Sequence, residues 1–333
     1  MSNKISAFRQ PMMGFAICAI LFIHLFFIGI LDERYGIWWQ KLRQMGSGGV
    51  DVFLLLSAFG LCFSLKHNPS ATQFYKKRLL RLLPAIVIGF FLANYLVVYN
   101  EFTTNSSYGL ALQNCWMYFR YYVYSLWFIF LILLLYLVFP IAYTFMSDAK
   151  DRQALVSRGR NLFAVAVAVA FLMIYCVGDF GIVDMYGTIM LSLYRVPVFF
   201  VGIFIFYELP ATKYIYHSHW AFAVSLTVAY LTSLYWPGMQ YVAFGFLALS
   251  SLKYLIGLFD HLPVLNRIFS WIGRYTLELY VMHMCVYTHI CEYMPSGTVQ
   301  TLMAAVGLSF VGAIVLHYLI QVLTRPFNLK KSR

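Results

Sequence analysis

Apolar runs close to twenty residues long recur from one end of this chain to the other, and they leave it few ways to fold. They fall approximately at Met12–Leu31, Gly49–Leu65, Leu82–Val98, Tyr121–Phe145, Leu162–Val177, Thr188–Tyr207, Trp220–Trp236, Met239–Leu258, Ile268–Cys291 and Val299–Leu323. A bilayer core of about 30 Å is crossed by roughly 20 residues of α-helix, so each run is of spanning length. In hydrocarbon the backbone N–H and C=O groups must pair within the protein, which leaves helices or a closed barrel. Runs this long and uniformly apolar favour helices over the short alternating strands of a barrel. The expected fold is therefore all-α, a polytopic membrane bundle of about ten helices. With 62% hydrophobic and only 11% charged residues, the chain is far from the composition of soluble domains. Lys4 and Arg9 precede the first run as they would in a secretory signal, but the run is too long and lacks a small-residue cleavage site. It is read as a helix of the mature protein.

The net charge of +12 is distributed unevenly among the connecting segments. Lys4 and Arg9, then Lys66, Lys76, Lys77, Arg78 and Arg81, then Lys150, Arg152, Arg158 and Arg160 fall on alternate connections, a pattern continued to Arg325, Lys330, Lys331 and Arg333. The other connections carry Asp32, Glu33, Glu101, Asp179, Asp184 and Glu292, with Arg34, Lys41, Arg43 and Arg120 as their basic members. By the positive-inside rule both termini face the cytoplasm, which agrees with an even number of spans. This topology accounts for the basic balance, and no basic stripe interleaved with aromatics argues for a nucleic-acid partner.

No linker, low-complexity tract or long polar stretch divides the chain, so residues 1–333 are read as one membrane domain. The longest polar segment, Tyr99 to Cys115, is expected as an external connection and contains the sequon Asn105-Ser106-Ser107. The six cysteines show no metal-ligand spacing, and no metal or permanently bound cofactor is expected.

Against this apolar background a few ionisable residues stand out. His24, Asp51, Arg195, Glu278 and His283 lie within the runs, and His317 lies near the end of the last. A charged group at the centre of a span costs about 2.5–3.5 kcal/mol on insertion scales and marks a functional position by default. At a rise of about 1.5 Å per residue, His24, Asp51, Arg195 and His283 share the outer half of the membrane and Glu278 sits nearer the midplane. Either they form a buried polar site or they are ion pairs joining helices; their convergence in depth favours a site. At the opposite face, Arg78 and Arg81 are three residues apart and share a helical face with Lys77 nearby. Paired guanidinium groups take phosphate oxygens bidentately, but on charge alone these residues are explained first as part of a basic cytoplasmic connection.

These residues resemble, in order and over nearly the whole chain, the bacterial membrane acyltransferases of family three, which O-acetylate cell-surface glycans. The resemblance runs through Met13-Gly14 with His24, Gly49-Val50-Asp51-Val52-Phe53, Ser57-Ala58-Phe59-Gly60 and the stretch FYKKRLLRLLP from Phe74 to Pro84. It continues through Leu126-Trp127-Phe128, Arg195-Val196-Pro197 to Gly202, and Gly273-Arg274-Tyr275-Thr276-Leu277-Glu278-Leu279-Tyr280 leading to His283. The chain departs from the family at Met13, where an arginine is usual, and at Ala58, where a glycine is usual. Arg9, one helical turn earlier, is the candidate replacement for the missing arginine.

The resemblance implies transfer of an acyl group, most simply acetyl, from cytoplasmic acyl-coenzyme A to a hydroxyl of a glycan or lipid-linked sugar at a bacterial inner membrane. Acetyl-coenzyme A is then a co-substrate. His24 is the expected general base with Asp51 orienting it, and Lys77, Arg78 and Arg81 are expected to hold the donor phosphates. Arg9, Ser57, Trp127, Arg195, Glu278, Tyr280 and His283 are the further candidates for substrate or oxyanion contacts. Two other readings are a proton-coupled transporter or flippase, for which intramembrane His, Asp and Glu would also serve, and a membrane sensor or scaffold. The Arg78 and Arg81 pair favours the enzyme, because a transporter has no need of a coenzyme A phosphate site.

Overall fold

A computed structural model of the chain describes residues 2–27, 44–104, 107–179, 192–207, 218–236, 239–295 and 297–329. These residues are helical almost throughout, and no strand occurs among them. In chain order the helices are α1 (Ser2–Ala7), α2 (Arg9–Phe27), α3 (Gly49–His67), α4 (Ala71–Thr104), α5 (Tyr108–Ser125), α6 (Trp127–Ser147) and α7 (Arg152–Asp179). They continue as α8 (Val196–Tyr207), α9 (His219–Tyr235), α10 (Gln240–His261), α11 (Pro263–Gly273), α12 (Thr276–Tyr293) and α13 (Val299–Leu329). A 3-10 turn at Met45–Gly48 leads into α3.

The all-α expectation holds. Among the described residues, five segments are long and apolar enough to cross a membrane: Met45–His67, Trp127–Ser147, Arg152–Leu172, Gln240–His261 and Val299–Arg325. Arg9–Leu25 and Val196–Tyr207 are apolar but shorter. Asp32, Glu33, Asp184, the first two residues of the sequon at Asn105, and parts of two expected runs at residues 28–31 and 188–191 lie outside the described residues.

Several boundaries differ from those read in the sequence: α4 and α7 begin about ten residues before their runs, and three further differences have local causes. The run Tyr121–Phe145 is not one helix, because a turn at Leu126 separates α5 from α6. There the Ser125 hydroxyl donates to the Tyr122 carbonyl at 2.6 Å, satisfying an acceptor that the ending helix leaves open. The segment Tyr99 to Cys115 is largely helical rather than an open connection. Its polar groups pair locally: Thr103 Oγ1 donates to the Tyr99 carbonyl at 3.0 Å, and Asn114 Nδ2 donates to Glu101 Oε2 at 2.9 Å. Finally, Ile268–Cys291 is split into α11 and α12. Pro263 pre-sets the first turn of α11, and Arg274 N–H closes a turn onto the Trp271 carbonyl at 3.2 Å after the helix ends at Gly273.

The chain divides into two compact units. The first comprises Met1–Ile23, Tyr35–Phe74 and Phe128–Arg274. It contains α3, most of whose residues are buried, as expected for a helix apolar nearly all round. Glycines allow neighbouring helices to approach it. A methyl at Gly202 of α8 would lie 2.8 Å from Ala58 Cβ of α3, and one at Gly49 would meet the Ala16 carbonyl of α2 at 2.5 Å. The methyl that Ala58 adds is thus accommodated opposite a residue that has none. Gly14 of α2 is packed directly on the Phe269 carbonyl of α11.

The second unit comprises His24–Arg34, Tyr75–Trp127 and Tyr275–Arg333. Here α12 and α13 pack together, with Met282 Cε 2.8 Å from where a Gly312 side chain would begin. Most of α4 runs beside them and passes Val281 and the Tyr122 hydroxyl at Gly89. At Asn94 the backbone leaves helical geometry (φ −116°, ψ 19°), and Asn94 Nδ2 donates to the Phe90 carbonyl at 3.0 Å. Large apolar side chains are exposed along α6 (Leu134, Leu137, Ile141), α7 (Phe171, Leu172) and α13 (Val311, Val315, Val322), a surface suited to hydrocarbon rather than water.

Candidate active site

Two of the histidines that stand in apolar runs meet. His24, near the end of α2, faces His283 of α12, with His24 Nδ1 3.2 Å from His283 Nε2. The rings lie 4.9 Å apart between centroids and are tilted by 52°. His283 is fully buried, and Tyr280 and Tyr287 pack against it at 5.6 and 5.7 Å between ring centroids.

The hydrogen bonds decide where the protons lie. His283 Nδ1 is 3.0 Å from the Leu279 carbonyl. A carbonyl only accepts, so Nδ1 of His283 carries the proton and its Nε2 is the acceptor of the neutral ring. His24 Nδ1 must then donate to it. This places the proton of His24 on Nδ1 and leaves its Nε2 as the basic nitrogen. The backbone of α12 thereby fixes a tautomer on a different helix through one intervening imidazole.

A second polar group sits at the start of α12. Glu278 is fully buried and receives the Arg81 guanidinium in a two-pronged contact, Nη1 to Oε1 at 2.6 Å and Nη2 to Oε2 at 3.0 Å. His317 of α13 donates from Nδ1 to the same Oε1 at 2.8 Å. Gln321 Nε2 lies 2.8 Å from His317 Nε2 and donates to it. His317 therefore has its proton on Nδ1, by the same reasoning as for His283. The expected donor-site arginine is held by a buried carboxylate, while Arg78 is half-buried and Lys77 exposed on the same helix.

The first unit holds its own buried pair. Asp51, in the first turn of α3, is ion-paired through Oδ2 with Nη1 of Arg195, and both side chains are almost wholly buried. Arg195 lies in the turn just before α8. Its Nη1 also donates to the Ser47 carbonyl at 3.0 Å, and its guanidinium lies 4.9 Å over the Tyr241 ring. The group engaging the Asp51 carboxylate is Arg195. Arg9 reaches α3, donating from Nε to the Leu56 carbonyl at 3.1 Å with its guanidinium laid against Gly60. A side chain at Gly60 would displace it. Ser57 lies between those two contacts on α3, half-buried, and Trp127 is half-buried at the start of α6.

Standing in apolar runs made His24, Asp51, Arg195, Glu278, His283 and His317 visible in the sequence, whereas Gln321, a neutral side chain, gave no such signal. What spacing did not reveal was their pairing, above all the joining of His24 to His283 and of Glu278 to both Arg81 and His317.

Long apolar helices, faces suited to hydrocarbon and polar groups buried within helices define an integral membrane protein of helical type. A family model described as acyltransferase domain matches residues 12–321, and the chain belongs to that family, acyltransferase family 3. Its members are acyltransferases. No curated protein and no solved structure matches the chain.

Proposed function

We propose that the protein is an O-acyltransferase that moves an acetyl group from cytoplasmic acetyl-coenzyme A to a hydroxyl of a glycan or lipid-linked sugar at a bacterial inner membrane. The observation that carries this reading is the directed hydrogen-bond chain from His24 Nδ1 through His283 to the Leu279 carbonyl. It makes His24 Nε2 a positioned base, the requirement of acyl transfer to a hydroxyl.

In the proposed step the acceptor oxygen forms a bond to the acyl carbon while its proton passes to His24 Nε2. The carbon–sulfur bond then breaks and the departing thiolate recovers that proton as the free thiol. As the imidazolium forms, its Nδ1–H remains on the neutral acceptor nitrogen of His283, so the ring keeps its orientation through the proton transfer. The donor phosphates are assigned to the α4 segment carrying Lys77, Arg78 and Arg81, where charge-assisted hydrogen bonds suit them. Tyr280 and Trp127 are assigned to stacking on the sugar or adenine ring.

The test is transfer of label from radiolabelled acetyl-coenzyme A into the glycan fraction of membranes containing wild type or His24→Ala. Label in glycan with wild type alone supports the reading. Equal incorporation by both, or none with wild type in the presence of acceptor, rejects it.

A further inference from the structure

Arg81 cannot act on a phosphate independently of Glu278. Both of its terminal nitrogens are committed to that carboxylate at 2.6 and 3.0 Å, and the carboxylate is fully buried while the arginine side chain keeps 38% of its surface exposed. A guanidinium held end-on by Nη1 and Nη2 still has three N–H groups pointing away from the carboxylate. The exposed edge of Arg81 is therefore oriented by Glu278, and Glu278 in turn by His317, which Gln321 holds with its proton toward the carboxylate. Arg81 and His317 both donate to Glu278, and Gln321 donates to His317.

We propose that Glu278 and His317 are positioning residues for the acyl donor. They fix Arg81 so that its outward N–H groups meet the phosphates of coenzyme A. The inference rests on the acyltransferase reading above and adds two residues, on α12 and α13, to the site expected only on α4. Glu278 is on the same helix as His283, five residues earlier and so about 7.5 Å along its axis. One rigid helix therefore carries both the group that aims the donor arginine and the group that sets the tautomer of the base. Holding a long cationic side chain in one geometry before binding removes the entropy that the ligand would otherwise have to overcome.

The experiment is equilibrium binding of radiolabelled acetyl-coenzyme A to the purified full-length protein in detergent, with S-acetylpantetheine, which lacks the phosphates, as a competitor. The variants are Glu278→Gln, His317→Leu and His317→Asn, compared at equal amounts of monodisperse protein. Asparagine keeps an N–H near the position of Nδ1, and leucine does not. Glu278→Gln and His317→Leu are expected to weaken acetyl-coenzyme A by about tenfold or more, as for loss of an aligned charge-assisted hydrogen bond, and His317→Asn to recover most of the affinity. Competition by S-acetylpantetheine is expected to be unchanged in all three.

A merely structural role would weaken both ligands alike, and that result overturns the inference, as does wild-type affinity for acetyl-coenzyme A in Glu278→Gln and His317→Leu. Wild-type protein that binds no acetyl-coenzyme A would instead overturn the acyltransferase reading itself. If His317→Leu does not fold, the contrast of Glu278→Gln with wild type on the two ligands decides the matter.

Discussion

Buried charge is where single residues matter most in this molecule. Asp51 and Arg195 are both almost wholly buried and pair with each other. Removing one partner of such a pair leaves the other uncompensated, at a cost of about 3–5 kcal/mol, whereas replacing both by apolar residues is often near neutral. Asp51→Asn is therefore expected to lower the thermal unfolding midpoint in detergent markedly, and Asp51→Leu with Arg195→Met to restore much of it. A double variant no more stable than Asp51→Asn would contradict the pairing. At His283 the relevant property is the acceptor at Nε2. His283→Gln can place an oxygen there and His283→Met, of similar length, cannot. Methionine should lower kcat by about 10²-fold, the ordinary worth of a positioned base, and glutamine should retain a substantial part of the activity. These residues were legible in the sequence because an ionisable side chain in an apolar run is conspicuous. Their partners were not, because the pairs join positions 144, 197 and 259 residues apart.

At the scale of elements, helix contacts depend on glycines whose importance differs by location. Gly14 is packed directly on the Phe269 carbonyl, backbone that cannot yield as a flexible side chain can. Gly257 in α10 has no atom within 4 Å of where a side chain would begin. Gly14→Leu should abolish recovery of folded protein, while Gly257→Ala should be tolerated and stabilise α10 by up to about 1 kcal/mol. Yield of monodisperse protein and unfolding midpoints check both. Hydropathy located several helices closely: α3, α9, α10 and α13 lie near their expected runs. It passed over the breaks at Leu126 and Gly273, because apolar character continues through them while local hydrogen bonds end the helices. Likewise it assigned the polar stretch beyond Tyr99 to an external connection, although Thr103 is satisfied within α4 and Asn114 pairs with Glu101 between α5 and α4.

For the whole molecule, apolar faces on α6, α7 and α13 require a hydrocarbon environment. The protein should remain in membranes after alkaline carbonate treatment and enter solution only with detergent. With the basic residues on alternate connections, a tag after Arg333 should be cut by protease in inverted vesicles and protected in right-side-out ones. The opposite pattern would reverse the proposed sidedness of the donor. Fold class and family could be read from the sequence because both are spread over nearly its full length, from residue 12 to residue 321 in the family match. The division into two units could not. It separates Ile23 from His24 within α2, where neither composition nor hydropathy changes.

The central claim is that His24 and His283 act as one unit, and a double-variant cycle tests it most directly. Acetyl transfer from acetyl-coenzyme A to membrane glycan would be measured for wild type, His24→Ala, His283→Met and the combination, at equal levels of folded protein. If His283 works by setting the tautomer of His24, the double variant should be no slower than His24→Ala alone. Losses that multiply would show that the two histidines act independently and would contradict the account.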